Sequence, residues 1–501
     1  MARREMTVGA FRRIPLAAWS TLILVAVFVA HLPSFMHRLM DGDEAIYGSI
    51  AALMNMGGPL YGAGGVDNKP PGVFWVYAIT FRVFGTYQMT AVHAVGFVAV
   101  AATCALIFLI ARDLAGSSGS RASLLAALFY GVLTAAGNPR LLASNTEIFM
   151  MLPLTASVLV SLRRQWLWAG VLMVAAGAFR QSAAINVLLT GCAILWLEPR
   201  AGRSRAMAQL AGGLLAGLVA GAVLIGLTGS LGGFWRWTVG SLYGYASTNW
   251  TPSLVWSRAQ DSILPFVVDM AVFWVAAVWV ALRWRTLPVK ERLVVWWLVV
   301  AMAGSFAGGH LSWHYFIQAM GPLAVLAALA FDRLPLPRWV ALAAVAGIVL
   351  PAAAWWVYDM NADPLTYDAG ASIPQHEAVA AYIRDHTSSS NRVFVWGVWP
   401  ALYVESDRAM SSRFPGFLRG FTRGSGLPPN NWDTTSDVWP LLQSDLRANP
   451  PALIVDTSTA DWSSFAMYPM SNYPVVADLV VAHYQAVATV DGVVIYARSS
   501  R

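Results

Sequence analysis

The chain has 501 residues, 57% hydrophobic and only 12% charged, with a net charge of +7 and a mean hydropathy of +0.56. A soluble globule carries about 25% charged residues, so this composition excludes one and leaves a polytopic α-helical membrane protein set in a lipid bilayer. The positive balance forms no basic and aromatic stripe, which excludes a nucleic-acid partner.

The start, Met-Ala-Arg-Arg, followed by an apolar run at 15–36 without a small-residue cleavage site, reads as an uncleaved first helix. Further apolar runs near 88–110, 122–137, 147–162, 166–179, 182–197, 207–228, 261–282, 293–308, 315–331 and 339–357 bring the expectation to about 11 transmembrane helices, each able to cross about 30 Å of hydrocarbon. Basic residues gather in alternate short loops, among them Arg3, Arg4, Arg12, Arg13, Arg112, Arg163, Arg203, Arg285 and Arg333. The positive-inside rule then puts the N-terminus in the cytoplasm. An odd span count puts everything after Tyr358 on the outer face of the plasma (inner) membrane. Cys104 and Cys192 fall inside predicted spans and read as packing residues.

Acids arrive abruptly after Tyr358, with Asp359, Asp363, Asp368, Glu377 and Asp385, and the long apolar runs stop. This marks a boundary between a membrane domain, 1–357, and an extracytoplasmic α/β domain, 358–501. Strands are expected at 392–396, 452–455 and 493–497, and helices at 375–386 and 436–449.

The first outer loop, 37–87, is too long and too patterned for a linker. Ile46, Ile50, Leu53 and Met54 recur at helical spacing, as do Phe74, Tyr77, Ala78 and Phe81, predicting two amphipathic helices in the interface. Before the first stand Asp41, Asp43 and Glu44. A carboxylate costs roughly 2.5–3.5 kcal/mol at the bilayer midplane, so clustered acids point to a wet cavity, a metal or a proton acceptor. Asp43 is also a candidate N-cap for the helix that follows. Lys69-Pro70-Pro71 holds an ammonium at a helix entry, since proline suits a first turn. A placed ammonium calls for an anion partner, such as a phosphate oxygen gaining charge; its bland alternative is a lysine snorkelling to lipid headgroups.

Further polar exceptions lie on the same side. Asn145-Thr146-Glu147 opens the fourth span, where Glu147 is a second acid or a first-turn residue behind an Asn145 cap. Arg180-Gln181 ends the fifth span and His314-Tyr315 begins the tenth. Gly62–Gly65 lacks the Gly-Lys-Ser/Thr of a P-loop, and the Asn249-Trp250-Thr251 sequon is assigned no role.

These residues resemble the GT-C type membrane glycosyltransferases that take sugars from polyprenyl phosphates, including the protein O-mannosyltransferases and the lipid A aminoarabinose transferase. The resemblance rests on Asp43-Glu44 with Tyr47, Gly58-Pro59-Leu60-Tyr61, Lys69-Pro70-Pro71 with Trp75, Glu147, Arg180-Gln181 and His314-Tyr315-Phe316. It implies that Asp43 is the base for the acceptor hydroxyl, with Glu44 or Glu147 placing the acceptor or a divalent cation (Mg or Mn), Asp43 and Glu147 being the metal candidates. By the same likeness Lys69, Arg180, His314 and Tyr315 hold the donor phosphate, and Tyr47, Tyr61 and Gln181 line the substrate. The implied partners are a polyprenyl-phosphate sugar and an envelope acceptor, with no nucleotide sugar bound directly, and transfer inverts the sugar carbon. Two positions depart from the pattern: Asn68 precedes the lysine where an acid is common, with Asp67 one step earlier, and His310 stands where a Gly-Gly-Arg sequence is common. Residues 395–397 through 412–414 also look like the outer domain of bacterial relatives, which implies a part in acceptor choice.

Two competing readings are a transporter or flippase of lipid-linked sugars and a non-catalytic assembly partner. Transport sites sit near the midplane on broken helices, whereas these polar residues cluster at one face.

Overall fold

A computed structural model describes residues 15–116, 120–240, 252–366, 376–416 and 438–499. The basic start, the 249–251 sequon and the outer ends of the helices expected at 375 and 436 lie outside these residues. Each of the eleven apolar runs falls on helix. The first gives α1 (Leu16–Ala30) and a short turn at Pro33–Met36, and the first outer loop then contributes α2 (Gly42–Asn55) and α3 (Gly72–Phe84). The bundle continues with α4 (Met89–Ala115), α5 (Ser120–Leu133), α6 (Thr146–Leu162), α7 (Trp166–Gly177), α8 (Val187–Leu197) and α9 (Arg203–Thr228). It closes with α10 (Pro252–Asp269), α11 (Ala271–Ala281), α12 (Val289–Phe306), α13 (Ile317–Arg333) and α14 (Arg338–Asn361).

Among the described residues, four helical stretches are long and apolar enough to cross a membrane unaided: Met89–Ala115, Arg200–Thr228, Trp313–Arg333 and Arg338–Asn361. The expected 261–282 span is a broken one, with α10 and α11 meeting at 75°. The 182–197 run spends its first turn as a 3-10 helix, Gln181–Asn186, before α8. Helix α13 is buried along nearly its whole length and forms the axis of the bundle, whereas α9 and α14 carry exposed leucines and valines on the rim, as lipid-facing helices do.

The C-terminal part is a five-stranded sheet in the order β2-β1-β3-β5-β4. Its strands are β1 (Arg392–Trp396), β2 (Ala409–Met410), β3 (Leu453–Asp456), β4 (Tyr484–Val490) and β5 (Val493–Arg498). β1 runs parallel to β2 and β3, while β5 is antiparallel to β3 and to β4. Helices α15 (His376–Asp385), α16 (Ala401–Ser406), α17 (Val438–Ala448) and α18 (Pro474–His483) complete this part.

The loop helices α2 and α3 form as their periodicity predicts, with the predicted apolar positions turned inward. Ile50, Leu53, Phe74 and Tyr77 are buried, and Val404 of α16 packs on Gly48 of α2. Tyr87 donates its hydroxyl to the Arg408 carbonyl at 3.2 Å, and the Val66 N–H donates to the Arg413 carbonyl at 3.0 Å. The first loop is thus clamped between the bundle and the stretch from α16 through β2 to Arg413. No residue of α2 is exposed, whereas α3 still exposes Ile79, Val83 and Phe84.

Candidate active site

The site is assembled around the start of α2. Asp41, rather than Asp43, is the N-cap, its carboxylate accepting the Asp43 N–H at 3.3 Å. Asp43 and Glu44 then fall in the first turn, where the helix dipole favours negative charge. Their side chains part company. Glu44 is fully buried and accepts from the Met40 N–H at 2.7 Å, the Ser144 N–H at 2.6 Å and His93 Nε2 at 3.1 Å. The last two contacts tie α2 to the turn before α6 and to α4. Asp43 is half-buried and accepts the Tyr47 hydroxyl at 3.3 Å.

Asp41 also accepts from Asn145 Nδ2 at 2.8 Å, and Arg140 Nε lies 3.8 Å away. Asn145 therefore spends its side chain on Asp41 and makes no capping bond to α6. Glu147, in the first turn of α6, is fully buried and forms an ion pair with Arg180, while its second oxygen accepts the Thr146 hydroxyl at 2.8 Å. The Arg180 guanidinium lies 3.5 Å over the Tyr315 ring, so the fifth-span arginine, the fourth-span acid and the tenth-span tyrosine meet in one stack. His314 hangs between the two acids, with Nδ1 3.9 Å from Asp41 and Nε2 3.9 Å from Glu147, both beyond hydrogen-bond reach.

Lys69 is placed by its backbone. Its N–H donates to Asp67 at 2.9 Å, its carbonyl accepts the hydroxyls of Tyr61 at 2.8 Å and Thr238 at 3.3 Å, and Gln181 Nε2 donates to the Asn68 carbonyl at 2.7 Å. Tyr61 and Gln181 thus use their polar atoms to hold the lysine loop. Two residues beyond Pro70, the Gly72 N–H donates to the Ala178 carbonyl at 2.7 Å. A Cβ at Gly72 would sit 2.7 Å from that oxygen, so only glycine lets the Pro-Pro turn press against the end of α7. The half-buried Lys69 ammonium donates to Asn68 Oδ1 at 3.1 Å.

Burial pulls the Lys69 ammonium down, but Asp43 and Asp67 outweigh it, leaving the group above its ordinary value and firmly charged. Burial pushes the Asp67 carboxyl up against the opposing pull of Lys69 and two backbone N–H groups. The site therefore sets a carboxylate, Asp43, against a cation, Lys69, backed by the Glu147–Arg180–Tyr315 stack.

The donor set does not fit the divalent cation that the resemblance assigns to Asp43 and Glu147. Both Glu147 oxygens are engaged, by Arg180 and Thr146, and Lys69 supplies the charge beside Asp43. Among the described residues no group of three or more His, Cys, Asp or Glu converges on one point.

Sequence reasoning left two cations out of the site. Arg140 sits on a 3-10 turn, Pro139–Leu141, capped by Asn138, and its guanidinium reaches toward Asp41 and to the Ser312 hydroxyl at 3.5 Å. Asn-Pro-Arg is the same kind of proline-fixed cation as Lys69-Pro70-Pro71, and that was the available signal. Arg258 donates to the Gly309 carbonyl at 2.9 Å, a contact between α10 and the loop before α13 that nothing local announces.

Residues 68–225 match the dolichyl-phosphate-mannose-protein mannosyltransferase family. No curated protein matches the chain by sequence. Among solved structures, ArnT from Cupriavidus metallidurans bound to undecaprenyl phosphate is similar with a TM-score of 0.66 and 15% identity, covering 96% of this chain and 98% of that one. Its apo state gives 0.59 and 15%, covering 97% and 98%. An Archaeoglobus fulgidus oligosaccharyltransferase tethered to an acceptor peptide gives 0.50 and 12%, covering 96% of this chain and 74% of that one. The chain thus shares its fold with these membrane proteins over nearly its whole length, and the family match covers the stretch from the lysine loop to α9.

Proposed function

We propose that the protein moves one sugar from a polyprenyl phosphate to a hydroxyl of an envelope acceptor, at the outer face of the plasma membrane, with the N-terminus cytoplasmic and residues 358–501 outside. Asp43 takes the acceptor proton as the hydroxyl oxygen attacks the anomeric carbon. The bond from that carbon to the phosphate oxygen breaks on the opposite face, so the sugar carbon inverts. The electron pair leaves with the phosphate, whose charge is met by Lys69 and by the outer edge of the Arg180 guanidinium. A phosphate leaving group needs this neutralisation more than a strong acid, so one base and a few cations suffice.

The observation that carries this reading is the half-buried Asp43 carboxylate beside a firmly charged Lys69 ammonium. The relative bound to undecaprenyl phosphate supports the choice of carrier lipid. Tyr47 donates to Asp43 and so orients the base, while Glu147 and His314 sit behind Arg180.

The test is transfer by purified protein from a panel of radiolabelled undecaprenyl- and decaprenyl-phosphate sugars into total envelope extract. Wild type labels one extract component, and Asp43→Asn lowers the rate by about 10²–10⁴ while melting like wild type. An Asp43→Asn variant as fast as wild type would remove the base. Folded wild type that transfers from no donor would move the weight to a transporter.

A further inference from the structure

The loop between α12 and α13, residues 307–312, is held at both ends by arginines from other elements. Arg258 of α10 donates to the Gly309 carbonyl at 2.9 Å, and Arg140 donates to the Ser312 hydroxyl at 3.5 Å. Between them the backbone takes a left-handed φ of +66° at Gly309 and +53° at Leu311. The second is a costly conformation for a branched residue, kept only where the surroundings enforce it. This kinked loop presents the His310 ring edge-on to Tyr315, centroids 6.3 Å apart at 89°, and Tyr315 carries Arg180 on its own face. His310 therefore lies among cations from four separate segments: Arg258 and Arg140 hold the loop on either side of it, Arg180 lies across the Tyr315 ring, and Lys69 acts on it electrostatically.

We propose, resting on the reading of the site as a phosphate-lipid site, that His310 is its phosphate-responsive residue. The imidazole takes up a proton when the anionic head of the donor enters among Lys69, Arg140, Arg180 and Arg258, so that donor capture carries a proton with it.

The electrostatics of the surrounding groups support this. Burial first, then Arg258, Lys69 and Arg140, hold the His310 imidazole down to about 4, so without an anion it is neutral. The nearby acids are committed elsewhere: Asp261 of α10 accepts from Ser257 at 3.2 Å, and Asp41 accepts from Asn145 at 2.8 Å. A phosphate among the cations cancels the repulsion that keeps the proton off. An opposite charge at about 4–6 Å raises proton affinity by about 10- to 1,000-fold. The upper part of that range brings the ring into titration near neutral pH. Beside four permanent cations, the His310 imidazole is a fifth whose charge is conditional on the occupant of the site.

The experiment is calorimetric titration of the full chain in detergent with dodecyl methyl phosphate, a diester whose single charge does not change over the range used. Each titration is run in two buffers of different ionisation enthalpy, so that proton uptake separates from binding. Wild type should take up most of one proton per ligand near about pH 6 and little near about pH 8, binding about tenfold tighter at the lower pH. His310→Gln should bind without that uptake and with a flattened pH dependence, and His310→Arg should bind without uptake at both values. Wild type that binds with no uptake, or uptake unchanged in His310→Gln, overturns the proposal and leaves the transferase reading intact. Folded wild type that does not bind the diester overturns the phosphate-lipid reading itself. Should His310→Gln fail to melt cooperatively, His310→Arg decides alone, and uptake equal to wild type refutes.

Discussion

Adjacent acids at the start of α2 are predicted to fail in opposite ways. Glu44→Gln keeps the shape of the side chain but replaces one oxygen by an NH2 group. In the protein one oxygen accepts the Met40 N–H at 2.7 Å, and the other accepts the Ser144 N–H at 2.6 Å together with His93 Nε2 at 3.1 Å. Whichever way the amide turns, its NH2 group faces a buried backbone N–H, donor against donor. One bond is lost and one donor is stranded, at about 1–3 kcal/mol, and the remaining bonds lose the strength that a charged acceptor gives. The total is about 2–4 kcal/mol, because relief from burying a carboxylate offsets part of it.

For a chain of this length that is a fall of several degrees in the melting midpoint. Transfer falls as well, since a shift of about 1 Å in the segment carrying Asp43 costs up to about 100-fold. Asp43→Asn should show the converse: loss of transfer with the midpoint within about 0.5 kcal/mol of wild type, as for a half-buried residue with one long hydrogen bond. The assay is a paired thermal melt and transfer rate on the same detergent preparations. Glu44→Gln that melts with wild type yet loses transfer as fully as Asp43→Asn would refute the reasoning, and would put Glu44 on the substrate.

Gly72→Ala should destabilise by about 1–3 kcal/mol and raise KM for the donor more than it lowers kcat, because its Cβ meets the Ala178 carbonyl at 2.7 Å and the turn carrying Lys69 must back away. Unchanged KM would mean that the Pro-Pro turn does not set the lysine. In the C-terminal part, His376 offers Nε2 to Asp363 at 2.6 Å and Nδ1 to Glu405 at 3.0 Å, so both nitrogens donate and the ring is cationic. Burial lowers its proton affinity, but the two carboxylates outweigh it and raise the group to about 10. A group raised on folding stabilises fully below its unfolded value near 6.5 and loses that contribution as pH rises through about 10. Melting midpoints should therefore decline between about pH 7 and pH 10 in wild type, and His376→Gln should flatten that decline.

The parts of this molecule that were legible in its sequence are those whose cause is local. Helices α2 and α3 follow from apolar spacing, and the placement of Lys69 follows from the two prolines after it. Strands β1 and β3 follow from short apolar runs. Strand β2 is two residues long, and β4 is exposed along most of its length, so neither writes an apolar pattern. The break between α10 and α11 comes directly after Asp269, an acid inside a mostly apolar run, and the partner that takes it up, Trp355, lies 86 residues away. The same division runs through the site. Arg140 and Arg258 find partners 172 and 51 residues away, and the bonds from Ser144 and His93 that occupy Glu44 cross 100 and 49 residues.

Yet one step was within reach of geometry alone. Consecutive helical positions differ by about 100°, so Asp43 and Glu44 in one first turn cannot share a face, whereas Asp43 and Tyr47, four apart, must. The Tyr47 hydroxyl donates to Asp43, and Glu44 lies on the side turned toward α4. A pair of neighbouring acids at a helix start is thus one group for the site and one for the bundle. What long-range packing decided was only which of the two acids met His93.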